Sequence, residues 1–303
     1  MALHHDPHWP RAGTWFTSSI QGTQGEVDIA LIGVGANKTA ITPNKADTTP
    51  AAIREALMRY STWNQTCQLD FADFLNGADF GDVPNPDDQS STTLEIESAL
   101  FKSNFLIALG GDNSITYSGV MGLAKSVGGI DKVGLITLDA HHDVRDGVSN
   151  GSPIRQLVEA GLPGDHIVQI GISDFANSKF YSERVQEYGI HVIDRARIRN
   201  ESLQEIAASA ISIAGENHRA IYIDIDMDVC DRSVTPGCPA ATPGGLSADE
   251  LRQLVALLTA DPRVRMADIT EIDSSLDSED GRTVRLAALV ILEIATSRAL
   301  LKQ

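Results

Sequence analysis

Short apolar runs alternate with helical segments along most of this 303-residue chain, and this alternation restricts the fold more than any other feature. Strand-like runs cover residues 27–34, 105–109, 133–138 and 219–225, with helical patterns between them. Such alternation is typical of βαβ units, which build a mostly parallel sheet buried on both faces. We therefore predict an α/β fold.

No linker or sharp change of composition divides the chain, so we expect residues 1–303 to form one domain. Residues 1–25 lack a clear helical or strand pattern, and we expect them to be an irregular N-terminal segment.

Carboxylates at every second residue follow two of the strand-like runs. The side chains concerned are Asp139, His141, Asp143, Asp224 and Asp226. Residues i and i+2 of a strand share a face, and ligands of a parallel sheet bind beyond the carboxyl ends of its strands. These side chains are therefore expected to converge on one cleft.

Carboxylates gathered in a cleft repel and raise one another's pKa unless cations lie between them. Two divalent cations balance four carboxylates, so the pattern predicts a binuclear metal site. Nitrogen and oxygen ligands without a nearby thiolate suit manganese, zinc or iron. An acidic loop or a surface acidic edge is the structural alternative, although aspartate is almost never buried unpaired.

Two further motifs lie at predicted strand ends. Residues 110–114, Gly-Gly-Asp-Asn-Ser, join a strand to a helix and allow close approach of the backbone, or form an ordinary turn with a helix cap. Glu271 follows the run 264–269 and could bind a planar cation through two parallel hydrogen bonds, or cap a helix.

Composition bears on partners and location. The net charge of −17 argues against nucleic-acid and anionic-membrane partners. The first residues contain no apolar signal core, and the apolar run 286–292 is too short to span a bilayer. Three cysteines without zinc-like spacing suggest a reducing compartment. We expect a cytoplasmic protein that acts on a small molecule.

Together, these motifs resemble the ureohydrolase superfamily of arginases, agmatinases and formimidoylglutamases. The resemblance rests on residues 110–114, 139–143, 224–226, the Pro/Gly loop 234–245 and Glu271, in the family's order. It implies a three-layer α/β/α sandwich, two Mn2+ ions per subunit and a homo-oligomer. It also implies that Glu271 holds an amidine or guanidine, and that the metal ligands are Asp139, His141, Asp143, Asp224 and Asp226.

Two positions depart from the arginase and agmatinase pattern. Asn113 stands where those enzymes have a metal-binding histidine, and an amide oxygen is a weaker ligand for manganese. We include Asn113 among the metal ligands and predict that the metal beside it binds weakly. Asn150 lies near the place of a proton-shuttling histidine, a function that asparagine cannot perform.

Formimidoylglutamases also lack that histidine, and they resemble this chain in Asn-Gly-Ser-Pro-Ile-Arg at residues 150–155. The resemblance implies hydrolysis of N-formimidoyl-L-glutamate to glutamate and formamide, in histidine degradation, by a metal-activated hydroxide. Asp143 and Glu271 are the predicted catalytic residues. The predicted substrate-binding residues are Asn150, Ser152, Arg155 and Glu271, with Arg145 as another candidate for the substrate carboxylates.

Two other functions stay open from sequence. One is an agmatinase or another hydrolase of a guanidino compound, which would need more room near Glu271. The other is a non-catalytic metal-binding homologue, and the asparagines at positions 113 and 150 support this alternative. Retention of the acidic cluster argues against that homologue.

Overall fold

The computed structural model describes residues 6–18 and 27–303, which are arranged around an eight-stranded parallel sheet. The strands are β1 (Val27–Val34), β2 (Trp63–Asn64), β3 (Leu69–Asp70), β4 (Gly77–Asp82), β5 (Ser103–Gly110), β6 (Val133–Leu138), β7 (Ile167–Ile172), β8 (His191–Asp194), β9 (Ala220–Asp226) and β10 (Val264–Thr270). The α-helices are α1 (Ala12–Ser18), α2 (Thr49–Leu57), α3 (Gln89–Leu100), α4 (Ile115–Val127), α5 (Pro153–Glu159), α6 (Lys179–Tyr188), α7 (Arg195–Ile198), α8 (Leu203–Ala214), α9 (Ala248–Thr259) and α10 (Arg282–Leu300).

Helices cover both faces of the sheet, because alternate residues of each strand point to opposite sides. In β5, Phe105 and Ile107 pack into an apolar cluster with α2, α8, α9 and α10. Their neighbours Leu106 and Ala108 pack into a second cluster with α3, α4, α5 and α6. The predicted three-layer α/β/α sandwich with a parallel central sheet is confirmed.

Residues 61–104 lack the periodicity that predicts an element, yet β2, β3, β4 and α3 lie there in the structure. Strand β4 is an edge strand and reads Gly-Ala-Asp-Phe-Gly-Asp, a composition that disfavours strands. Helix α3 begins with a run of polar residues, and the Asp88 side chain caps it by accepting a hydrogen bond from the Ser91 N–H at 2.8 Å. Tertiary packing therefore determines the secondary structure of both segments.

The segment expected to be irregular contains a helix. Residues 12–18 form α1, which packs on β4 and buries Ala12 and Phe16, four residues apart on one face. The rest of that segment, residues 1–5 and 19–25, lies outside the described part of the chain, as does residue 26. Among the described residues, no helix is long and apolar enough to cross a membrane.

Four neighbouring strands at the centre of the sheet carry the acidic motifs. Their order is β5-β10-β9-β6, within a sheet that runs β4-β1-β5-β10-β9-β6-β7-β8. The chain passes from β5 to β6 across the places later filled by β9 and β10. Helices α4 and α5, which follow β5 and β6, pack on one face of the sheet, whereas α9 and α10, which follow β9 and β10, pack on the other. Neighbouring strands therefore lead to opposite faces where β5 meets β10 and where β9 meets β6, and a cleft opens there, as is usual in open α/β sheets.

Candidate metal centre and substrate cavity

Asp224 and Asp226 end strand β9 and are buried beneath the cleft. Within the described residues, neither carboxylate oxygen of Asp224 has a hydrogen-bond partner. Burial raises the pKa of Asp224 well above its usual value, and the nearby Asp268 raises it further. A buried carboxylate without partners is strongly disfavoured, and a cation between the acids removes that cost. The site therefore fits a bound metal.

A second group lies at the end of β6 and includes a residue that the predicted ligand set omits. One ligand atom from each of Asp139, His141 and Asp228 lies within 4.8 Å of the other two. His141 Nδ1 is 2.7 Å from Asp228 Oδ2, whose charge raises the pKa of His141 to about 12. Because a metal ligand must be a neutral imidazole, metal binding at His141 would release this proton.

The sequence contains a signal for Asp228, since Asp224, Asp226 and Asp228 continue the alternation of strand β9. The strand ends at Asp226, however, and a short 3-10 turn over Met227–Val229 follows it. This turn places Asp228 where it also accepts a hydrogen bond from the Ala140 N–H at 3.1 Å.

Asp143 and Asn113 face each other across the cleft, from the loops after β6 and β5. The Asn113 Nδ2 group donates to Asp143 Oδ2 at 2.6 Å. The Asn113 amide oxygen lies 2.9 Å from the Thr116 hydroxyl and 3.1 Å from the Thr270 hydroxyl. Burial raises the pKa of Asp143 to about 6, although the nearby His141 opposes the shift.

Glu271 follows β10 and is held through one of its two carboxylate oxygens. Its Oε1 accepts hydrogen bonds from the Asn113 backbone N–H at 2.7 Å and from Asn150 Nδ2 at 2.9 Å. Burial raises the pKa of Glu271 to about 8. The other oxygen has no hydrogen-bond partner among the described residues, so it is available to a ligand.

Two of the predicted site residues have a left-handed backbone. Asp143 has φ 51° and Glu271 has φ 62°, a region that residues other than glycine rarely adopt. Such a conformation costs about 1–3 kcal/mol and persists only where the surroundings enforce it, most often at functional sites.

The space between these groups is a cavity of about 110 Å3, which His141, Asp143, Arg145, Asn150 and Glu271 help to line. An adjoining cavity of about 240 Å3 shares His141, Asp143 and Arg145 with it. Larger cavities of about 550 and 560 Å3 lie elsewhere, beside α9 and α10 and beside β4, so volume alone does not locate the site.

The two arginines considered for the substrate differ in their surroundings. Arg145 lines the cavity, and its guanidinium has no hydrogen-bond or ion-pair partner among the described residues. Arg155 instead donates to the Arg145 carbonyl oxygen at 2.7 Å, to Glu159 at 2.5 Å and to the Gly147 carbonyl oxygen. The structure therefore places Arg155 in the framework of the loop and outside the cavity wall.

Ser152 and Asn150 also have structural contacts. Ser152 is fully buried; its Oγ accepts from the Ser149 N–H at 2.9 Å and does not line the cavity. Asn150 lines the cavity, but its Oδ1 accepts from the Ile41 N–H at 3.0 Å while its Nδ2 is bonded to Glu271. Asn150 thus connects the loop after β1 to Glu271.

Comparison with known proteins agrees with this arrangement. The model of the arginase family matches residues 27–296. A formimidoylglutamase from Halalkalibacterium halodurans is 35% identical over 95% of this chain and 92% of its own length. The formimidoylglutamase from Bacillus subtilis is 33% identical over 92% of this chain and 88% of its own length.

Solved structures give the same result. The crystal structure of the Bacillus subtilis formimidoylglutamase superposes with a TM-score of 0.91 at 30% identity, covering 99% of this chain and 95% of that one. The Trypanosoma cruzi formiminoglutamase with Mn2+2 superposes with a TM-score of 0.84 at 25% identity, covering 96% and 98% of the two chains. The resemblance seen in the sequence is confirmed: this chain belongs to the arginase family.

Proposed function

We propose that this protein hydrolyses N-formimidoyl-L-glutamate to glutamate and formamide. The observation that carries the proposal is the charge arrangement of one small cavity. It brings an acidic cluster and the free oxygen of Glu271 together with the unpaired guanidinium of Arg145. A substrate with an amidinium at one end and two carboxylates at the other matches these charges, and the names of the curated relatives support it.

Two Mn2+ ions per chain are part of this proposal. Asp139, His141, Asp143, Asp224 and Asp226 would hold them, and Asn113 would provide a weaker ligand. The unpartnered Asp224 and the group of Asp139, His141 and Asp228 support the metal centre. Bound divalent cations lower the pKa of water and so supply hydroxide as a nucleophile near neutral pH.

The side chains of this chain would orient the substrate and move a proton. Glu271 would bind the amidinium through Oε2 and expose the formimidoyl carbon to attack. Asp143, with a pKa of about 6, would accept a proton and return it to the departing amino group of glutamate. Arg145 would pair with a carboxylate of the glutamate part.

Agmatine suits this cavity less well, because its cationic amine would face the guanidinium of Arg145. The test is glutamate release from N-formimidoyl-L-glutamate by protein reconstituted with Mn2+, with agmatine and arginine in parallel. We expect manganese-dependent release of glutamate and little turnover of either guanidine. Turnover of a guanidine without release of glutamate would contradict the proposal.

We further propose that residues 1–303 act as one domain, in a cytoplasmic homo-oligomer without nucleic-acid or membrane partners. One sheet contains strands drawn from residues 27–270, which supports the single domain. The net charge of −17 supports the exclusion of nucleic acid. Light scattering of the purified protein would give the oligomeric state.

A further inference from the structure

The side-chain amide of Asn113 presents its hydrogens, and not its oxygen, to Asp143. Its Nδ2 donates to Asp143 Oδ2 at 2.6 Å, while its oxygen is held by the hydroxyls of Thr116 and Thr270. An amide nitrogen has no lone pair available for a cation. In this orientation, Asn113 cannot be a metal ligand, although Asp143 beside it can.

The two threonine hydroxyls can also hold the amide in the opposite orientation. A hydroxyl both donates and accepts, so Thr116 and Thr270 can accept from an amide NH2 where they now donate to an amide oxygen. Thr116 has one hydroxyl hydrogen but two acceptors within reach, the Asn113 oxygen at 2.9 Å and Asp268 Oδ2 at 3.0 Å, and it can donate to only one of them at a time. In the rotated orientation it would donate to Asp268 and accept from Asn113, so both contacts would be hydrogen bonds and Thr116 would favour that orientation. Rotation of the Asn113 amide by half a turn would therefore leave both of its hydrogens bonded.

We infer that Asn113 is a two-state ligand whose amide rotates when a divalent cation binds beside Asp143, and that Thr116 is the positioning residue that permits the rotation. This inference rests on the metal centre of the proposed function. Without a cation, the NH2 group satisfies the Asp143 carboxylate. With a cation, the oxygen turns toward it, and the hydrogen bond between Asn113 and Asp143 is lost.

The buried surroundings of Thr116 supply a matched control. Asp268 Oδ2 also accepts a hydrogen bond from the Tyr222 hydroxyl at 2.7 Å, and Asp268 pairs with Asp224 across β10 and β9. Replacing Tyr222 by phenylalanine removes one donor from Asp268 and leaves Asn113 untouched. Replacing Thr116 by valine removes one donor from Asp268 and one partner from Asn113.

The experiment is a Mn2+ titration followed by the electron paramagnetic resonance signal of free Mn2+, with metal content measured in parallel. The proteins are the wild type, Thr116→Val, Thr116→Ser and Tyr222→Phe. We expect two unequal sites in the wild type. Thr116→Val should weaken the weaker site by roughly tenfold, about the effect of one buried hydrogen bond, and leave the tighter site unchanged.

Thr116→Ser keeps the hydroxyl and should restore the wild-type affinity, and Tyr222→Phe should stay within about twofold of it. Equal weakening in Thr116→Val and Tyr222→Phe would place the effect on Asp268 and overturn the inference, as would an unchanged affinity in Thr116→Val. Thermal unfolding of each metal-free variant checks the fold. Because the titration needs no substrate, a failed hydrolysis assay would count against the proposed function alone.

Discussion

The ends of β9 and β5 lie on the same cleft but differ in how their polar atoms are satisfied. At the end of β9, both oxygens of Asp224 are buried without a partner among the described residues. At the end of β5, every polar side-chain atom of Asn113 is bonded within the protein. The first region is incomplete without a cation, whereas the second is complete and must rearrange to bind one.

The loop after β6 repeats this contrast with positive charges. The Arg145 guanidinium lies on the cavity wall without a partner among the described residues. The Arg155 guanidinium instead donates hydrogen bonds to the loop and to Glu159. Within this cleft, the unsatisfied polar groups are therefore the ones we expect to contact ligands, and the satisfied groups of the same type support the loops.

Asp224→Asn should remove most of the activity, because an amide at this buried position cannot balance a cation as a carboxylate does. We expect kcat/KM to fall by on the order of 10³-fold, with loss of bound manganese. Metal analysis and glutamate release measure the two effects. Asp165→Asn is the control, since the Asp165 side chain is 75% exposed. Full metal content in Asp224→Asn would contradict the role of its unpaired oxygens.

Arg145→Gln and Arg155→Gln form a matched pair. Loss of the free cation should raise KM for N-formimidoyl-L-glutamate by on the order of 50-fold, since one charge-assisted contact is removed. Arg155→Gln should instead lower the unfolding temperature with a smaller change in KM, because its contacts hold the loop. Steady-state kinetics and thermal melts separate the two. A larger rise of KM in Arg155→Gln would reverse the assignment.

Asn150→Ala should reduce kcat/KM by about tenfold, because Glu271 loses one donor to Oε1 and the loop after β1 loses its link. Asn150→Asp is a stricter test, because a carboxylate cannot donate a hydrogen bond to Glu271 Oε1 and its negative charge repels that of Glu271. It should be more harmful than alanine. Equal activity of the alanine variant and the wild type would show that the link does not position Glu271.

The metal-free protein should lose stability as pH rises. Burial raises the pKa of Glu271 from 4.5 to about 8, so the folded state holds a proton that the unfolded state releases. The stabilisation is complete below pH 4.5 and is lost as pH rises through about 8. Melts in a chelator at both ends of this range measure it, and Glu271→Gln should flatten the dependence. An unfolding temperature that rises over this interval would refute the expectation.

The sequence permits the prediction of the sheet and of the acidic residues, because both depend on local patterns. Apolar runs identify β1, β5, β6 and β9, and the spacing of aspartates identifies the carboxyl ends of β6 and β9. Edge strand β4 and helix α3 lack such patterns, and contacts with residues distant in the sequence determine their secondary structure. Periodicity therefore predicts the centre of this fold better than its edge.

The finer arrangement of the site depends on contacts that spacing does not encode. Ser152 and Arg155 follow the same motif as Asn150, yet the loop turns them into its own framework. Asp228 joins His141 only because a 3-10 turn replaces the last step of the strand. Thr116, Thr270 and Asp268 contribute through a network between α4 and β10, which no motif in the sequence predicts.

The left-handed backbone at Asp143 and Glu271 has a consequence for laboratory evolution of this protein. Glycine tolerates that conformation better than aspartate or glutamate does, and neither glycine nor asparagine adds to the crowding of negative charge. Selection for heat resistance alone should therefore favour glycine or asparagine at these two positions and yield a protein that is more stable but inactive. A library screened for turnover at every round should instead keep both acids and gain its robustness elsewhere.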